Sequence, residues 1–144
     1  MKRINIFALA LLISASFSSC RKDDSSSDNN NTNTSTGAVA TSGTWRVTLF
    51  KEDDRDQTGH FSGYTFSFNP NGAVTAVSGG TTHTGTWSSG YDNSTRKLIL
   101  NFSTSPLSEL NEDWHVISES GSRMELKHVS GGDGSVDYLT FQKQ

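Results

Sequence analysis

From Gly43 to the last residue the chain is a succession of short alternating runs separated by turn residues. Trp45, Val47 and Leu49 share one face of a first predicted strand. Tyr64, Phe66 and Phe68 share one face of a second. Asn69-Pro70-Asn71-Gly72 then reverses the chain, with Gly72 supplying the left-handed position. A weaker third strand spans about Ala73 to Val77, and Ser78-Gly79-Gly80 turns it into a fourth that ends at Trp87. Ser88 to Thr95 is polar and reads as a mobile loop. Leu98, Leu100 and Phe102 mark the fifth strand, with Lys97, Ile99 and Asn101 on its other face. Ser105 reads as an N-cap before Pro106, so one helical turn is expected over Pro106 to Leu110. Trp114 and Val116 belong to the sixth strand, Met124 and Leu126 to the seventh, and Leu139 and Phe141 to the eighth.

Turn signals at this spacing indicate a sandwich or a barrel. Consecutive short connections favour an up-and-down meander over a Greek key, and closing the meander removes its exposed edges. The predicted fold is therefore all-β: an eight-stranded antiparallel up-and-down barrel over residues 43–144, with at most one helical turn.

The amino-terminal part follows a different pattern. Lys2 and Arg3 precede an unbroken apolar run from Ile6 to Ile13 and the small residues Ser14 to Ser16. This is the layout of a secretory signal peptide, expected over residues 1–19, and the run is too short to span a bilayer. Cys20, the chain's single cysteine, closes the segment, so it has no intrachain disulfide partner. Residues 20–42 include SSSDNNNTNTST followed by GAVATS. They offer little apolar surface to offset ordering and read as a flexible tether, spanning roughly 20–25 Å from Ser25 to Ser42.

Charge narrows the possible partners. Without Lys2 and Arg3, ten basic residues stand against fifteen acidic ones, a net of −5. That argues against nucleic acid and against electrostatic attraction to anionic lipid.

Two resemblances follow from these residues. Phe17-Ser18-Ser19-Cys20 resembles a bacterial lipobox, in which the cysteine becomes the first mature residue and carries acyl chains of the palmitate kind. Arg21, Lys22, Asp23 and Asp24 resemble the surface-export signal of bacteroidete-type lipoproteins. The resemblance implies an outer-membrane protein, lipid-anchored at Cys20 and facing the cell exterior. Gly43-Thr44-Trp45, together with the strand count and order, resembles the start of lipocalins, as found in lipocalin-like domains of bacteroidete surface lipoproteins. It implies that Gly43 and Trp45 hold the closed end of the barrel. The last strand carries Lys143 where lipocalins place an arginine over that tryptophan.

The lipocalin resemblance also implies a small apolar ligand, with Tyr64, Phe66, Trp87, Leu100, Trp114 and Leu126 as candidate lining residues. The bland alternative is that these residues are simply core, and that a filled barrel contacts a protein or a glycan through its loops. Glu52 to Asp56 is acidic but lacks the alternating spacing of a calcium loop, and Asp133 in SGGDGS reads the same way. His60, His83, His115 and His128 fall on separate predicted elements, so no metal site is expected. There is no Gly-x-Ser-x-Gly elbow. No cofactor is expected, no catalytic residue is assigned, and an enzyme is not expected.

Overall fold

The computed structural model describes residues 36–144. Cys20, Arg21, Lys22, Asp23 and Asp24, with the expected signal peptide and most of the tether, lie outside the described residues. The strands are β1 (Thr44–Glu52), β2 (Arg55–Asp56), β3 (Thr65–Phe68), β4 (Ala73–Ser78), β5 (Thr81–Asp92), β6 (Thr95–Asn101), β7 (Asp113–Glu119), β8 (Arg123–Val129) and β9 (Val136–Lys143). All neighbouring pairs are antiparallel, from β3 in chain order through β9. β1 pairs with β3 on one side and with β9 on the other, which closes the barrel. β2 is a two-residue addition that pairs back on the end of β1. The expected eight-stranded meander barrel is therefore present, with one extra strand.

The alternation works as expected in most strands. Phe66 and Phe68, Leu98 and Leu100, Met124 and Leu126, and Leu139 and Phe141 are all buried. The Asn69–Gly72 turn forms, with Gly72 at φ +86° and its N–H donating to the Asn69 carbonyl at 3.0 Å.

β1 departs from the expected face. Val47 lies opposite Phe141 and Leu49 opposite Thr140, so Thr48 is an extra, unpaired residue. A bulge of this kind shifts the pleat by one. Phe50 consequently turns inward and is buried, while Leu49, expected inside, is only half-buried.

Ser88 to Thr95 is not an open loop. β5 runs on to Asp92 and returns as β6 at Thr95, through a turn with Asn93 at φ +46° and Ser94 at φ +68°. Two consecutive left-handed residues suit the right-handed twist of a hairpin. This extension was hidden because Ser88 to Asp92 are exposed on both faces, which leaves no apolar alternation to read.

Helical structure is also more frequent than the single turn expected. A 3-10 turn does occupy Leu107–Leu110, with a cis Ser105–Pro106 bond and with Pro106 itself, rather than Ser105, at the N-cap position. A second covers Thr58–Phe61. A five-residue helix, α1, covers Thr36–Ala40 and lies against β5, β6 and β7. Thr36, Val39 and Ala40 are buried. The last part of the segment expected as tether thus belongs to the folded body. An isolated helix this short is unstable in water, so its docking holds it.

α1 covers the end of the barrel where β1 begins. There the indole N–H of Trp45 donates to the Ala40 carbonyl at 2.8 Å. Trp45 lies opposite Lys143 in the β1–β9 register. Gly43 has φ +141°, and a Cβ on it would meet Lys143 Cε at 2.7 Å. The two 3-10 turns cover the other end. Phe61, Leu107 and Leu110 are buried there, and His60 Nδ1 pairs with Glu109 Oε2 at 2.7 Å between the turns.

Candidate functional site

The six residues expected to line a ligand cavity form one hydrophobic core. Phe66, Leu100, Trp114 and Leu126 are almost wholly buried, Trp87 nearly so, and Tyr64 packs against them half-buried. Phe66 meets Phe141 edge-on at 5.3 Å between ring centroids, Phe68 meets Trp87 at 5.5 Å, and Phe50 meets Phe61 at 5.2 Å. Such edge-to-face pairs satisfy the ring quadrupoles without a guest. The indoles spend their donors on the backbone as well. Trp87 Nε1 donates to the Asn69 carbonyl at 2.8 Å, and Trp114 Nε1 to the Leu110 carbonyl at 3.0 Å. Tyr64 reaches a surface cleft, beside Arg46, Ser62 and Gln144.

Polar chemistry concentrates instead at the rim where β7 and β9 begin and β8 ends. The approach to β7 is held firmly. Asn111 accepts from the Phe102 N–H at 2.6 Å and donates to the Phe102 carbonyl at 2.8 Å, so its side chain continues the ladder beyond β6. The Glu112 N–H donates to the Leu110 carbonyl, and the Glu112 carbonyl accepts from Leu100. Glu112 and Asp113 therefore stand on a fixed backbone.

His128 faces them from β8, on the same side of the strand as Met124 and Leu126. Its Nε2 lies 3.4 Å from Glu112 Oε2 and 3.6 Å from Asp113 Oδ1. Its Nδ1 is buried without a hydrogen-bond partner, 3.7 Å from Asp137 Oδ2. Asp137, the register partner of His128 on β9, is itself buried and accepts the Asp53 N–H at 3.0 Å. The Trp114 ring stands edge-on to the imidazole, 6.3 Å away.

Asp113 has a second partner. Its Oδ2 accepts from Lys97 Nζ at 2.5 Å, and Lys97 also lies 3.7 Å from Asp92. The Lys97 hydrogen bond holds the Asp113 carboxyl below the usual carboxylate range, and the same bond raises the Lys97 ammonium above its ordinary value.

A shallow groove continues from this pair along the outer face of β5 and β6, lined by Ser88, Tyr91, Asp92, Lys97, Ile99 and Asp113 among others. Tyr91 is 71 % exposed and Ile99 45 %.

The sequence did not single out Glu112, Asp113, Lys97 or Asp137 as a site. Of the four histidines it weighed, His128 alone joins a cluster of three potential metal ligands among the described residues. A His-x-x-x-x-x-x-x-x-Asp spacing across a predicted hairpin was the available signal, and it is a weak one. The acidic run Glu52–Asp56 proves to be a hairpin turn. Asp53 and Asp54 adopt left-handed conformations there, and Lys51 pairs with Asp54 at 2.8 Å.

No family model matches this chain. No curated protein matches it significantly. Among solved structures, it is similar to a DUF4847 family protein from Bacteroides vulgatus ATCC 8482, with 20 % sequence identity and a TM-score of 0.49, over 73 % of this chain and 94 % of that one.

Proposed function

We propose that the chain is an exported lipoprotein, anchored at Cys20 to the outer membrane and facing outward, whose filled barrel is a non-catalytic recognition module for a glycan. The observation that carries the recognition part is the occupied interior. Phe66, Trp87, Leu100, Trp114 and Leu126 pack on one another and on the rings around them, and each tryptophan N–H is already spent on a backbone carbonyl. Admitting an apolar guest would mean opening this packing, at a cost in lost contacts. This favours the filled-barrel alternative over an apolar-ligand carrier.

Recognition then falls to the outside. The groove along β5 and β6 joins an exposed tyrosine ring to hydroxyls, carboxylates and an ammonium. A protein partner would need a broad patch with an apolar centre. A sugar needs one ring for its C–H face and several hydrogen-bonding groups around it, which matches the groove better. The anchor rests on the resemblance at Cys20 to Asp24.

The test has two arms. The full chain should fail to bind an environment-sensitive apolar dye stoichiometrically; one-to-one binding with tryptophan quenching would overturn the filled-barrel reading. On an array of neutral oligosaccharides, wild type should be retained and Tyr91→Ala should not; no retention of wild type, or equal retention of the variant, would overturn the glycan reading. For the anchor, Cys20→Ala should move the protein from the membrane pellet to the soluble fraction.

A further inference from the structure

The barrel rim presents donors that sequence spacing alone did not bring together. Nε2 of His128, Oε2 of Glu112 and Oδ1 of Asp113 come from β8 and from the start of β7, and all three lie within 4.8 Å of one another. Two of the separations, 3.4 and 3.6 Å, involve the imidazole nitrogen. Ligands of a tetrahedral zinc ion at about 2.1 Å stand about 3.4 Å apart. The imidazole nitrogen is thus already placed for such an ion with respect to both carboxylates. We propose that His128, Glu112 and Asp113 form a binding site for a zinc-type divalent cation at the barrel rim, with a fourth position left for water or an exogenous ligand.

Three further observations support it. The first is the surroundings of Nδ1, the other imidazole nitrogen. It is buried and unpartnered, and faces Asp137, which the Asp53 N–H anchors from the opposite side. A metal-bound imidazole characteristically turns its second N–H toward a carboxylate, which fixes the tautomer and aims the lone pair at the ion. With its N–H on Nδ1, the imidazole turns the Nε2 lone pair toward two carboxylates, acceptors that a proton or a metal ion between them satisfies. The second is charge. Three carboxylates, Glu112, Asp113 and Asp137, stand within 3.7 Å of the His128 ring nitrogens, and of these only Asp113 pairs with an ammonium, that of Lys97, which it shares with Asp92. Lys97 bonds to Oδ2 of Asp113 and leaves Oδ1 directed at the imidazole. The third is rigidity. Asn111 and the Glu112 backbone bonds fix the approach to β7, so little ordering is required on binding. The mixed nitrogen and oxygen set, with an imidazole, favours zinc over calcium, which takes oxygen ligands only.

This inference does not rest on glycan recognition, although Asp113 belongs to both regions. The test uses the full chain carrying Cys20→Ala, so that the thiol cannot compete, stripped with a chelator and titrated with zinc chloride. One equivalent should bind, and Trp114 emission should change because its ring adjoins His128. His128→Gln and Glu112→Gln should each lower the affinity at least tenfold, and Asp137→Asn by about tenfold. Glu112 is partly exposed, so its variant keeps the test decisive if His128→Gln fails to fold. Absence of saturable zinc binding, unchanged affinity in Glu112→Gln, or a preference for calcium chloride over zinc chloride would overturn the site.

Discussion

The indole N–H of Trp45 donates to the carbonyl of Ala40 at 2.8 Å, and neither residue is exposed to water. The bond ties a short helix that could not stand alone to the first strand of the barrel. Trp45→Phe keeps an aromatic ring but removes the donor, leaves the Ala40 carbonyl unpaired and opens a small void. The expected cost is about 2–4 kcal/mol. Urea denaturation should show it as a lower midpoint with an unchanged slope. A loss below about 0.5 kcal/mol would mean that the end of the barrel closes without this bond.

Gly85 is required for a different reason. It stands on β5 opposite the end of β6, and a Cβ there would lie 2.4 Å from the Asn101 carbonyl oxygen and 2.7 Å from Phe102 Cδ1. The carbonyl belongs to a paired strand and cannot move aside cheaply. Gly85→Ala should destabilise by about 1–3 kcal/mol. Gly90, on the same strand, has nothing within 4 Å of that position. Gly90→Ala is the control and should be neutral or slightly stabilising. Equal midpoints for the two variants would refute the assignment.

Thr48 is the extra residue of the β1 bulge, and its hydroxyl is buried without a partner. An isosteric valine removes the unmet polar group and keeps the branched shape. Thr48→Val should leave thermal stability unchanged or raise it by about 0.5–1 kcal/mol. A loss above about 1 kcal/mol would mean that the hydroxyl is hydrogen-bonded, for instance to an ordered water.

Glu125 supplies a pH dependence. Its Oε2 accepts from Ser118 Oγ at 2.5 Å and its Oε1 from Arg123 Nε at 2.9 Å. The Ser118 bond first, and the Arg123 bond second, hold its carboxyl below the ordinary glutamate value. A carboxyl lowered in this way favours the folded state above its unfolded value, about 4.3. That contribution disappears as the pH falls through the lower folded value. Ser118→Ala should move the Glu125 titration upward, as followed by carbon-13 shifts of the side-chain carboxyl. An unmoved titration would assign the whole effect to Arg123.

Much of the barrel was legible from residues such as Phe66, Phe68, Leu98, Leu100 and Phe141. A strand buried on one face needs apolar side chains at every second position, and that requirement is local. The Asn69–Gly72 turn was legible because its conformational demands fall on the turn residues themselves. The misplaced face of Leu49 and Phe50 was not legible, since Thr48 becomes a bulge only through its pairing with β9. The hairpin beyond Trp87 was equally silent, because strands wet on both sides need no alternation.

The chain by itself determined the period of its strands, the positions of most turns and the inward side of most segments, because those properties depend on neighbours a few residues away. Tertiary structure decided the rest. It recruited Thr36–Ala40 as a stopper, since a helix of five residues persists only against a preformed surface. It filled the interior with the rings expected to surround a ligand. It also placed His128 beside Glu112 and Asp113, residues whose separation along the chain carries no geometric information until β7 and β8 are paired.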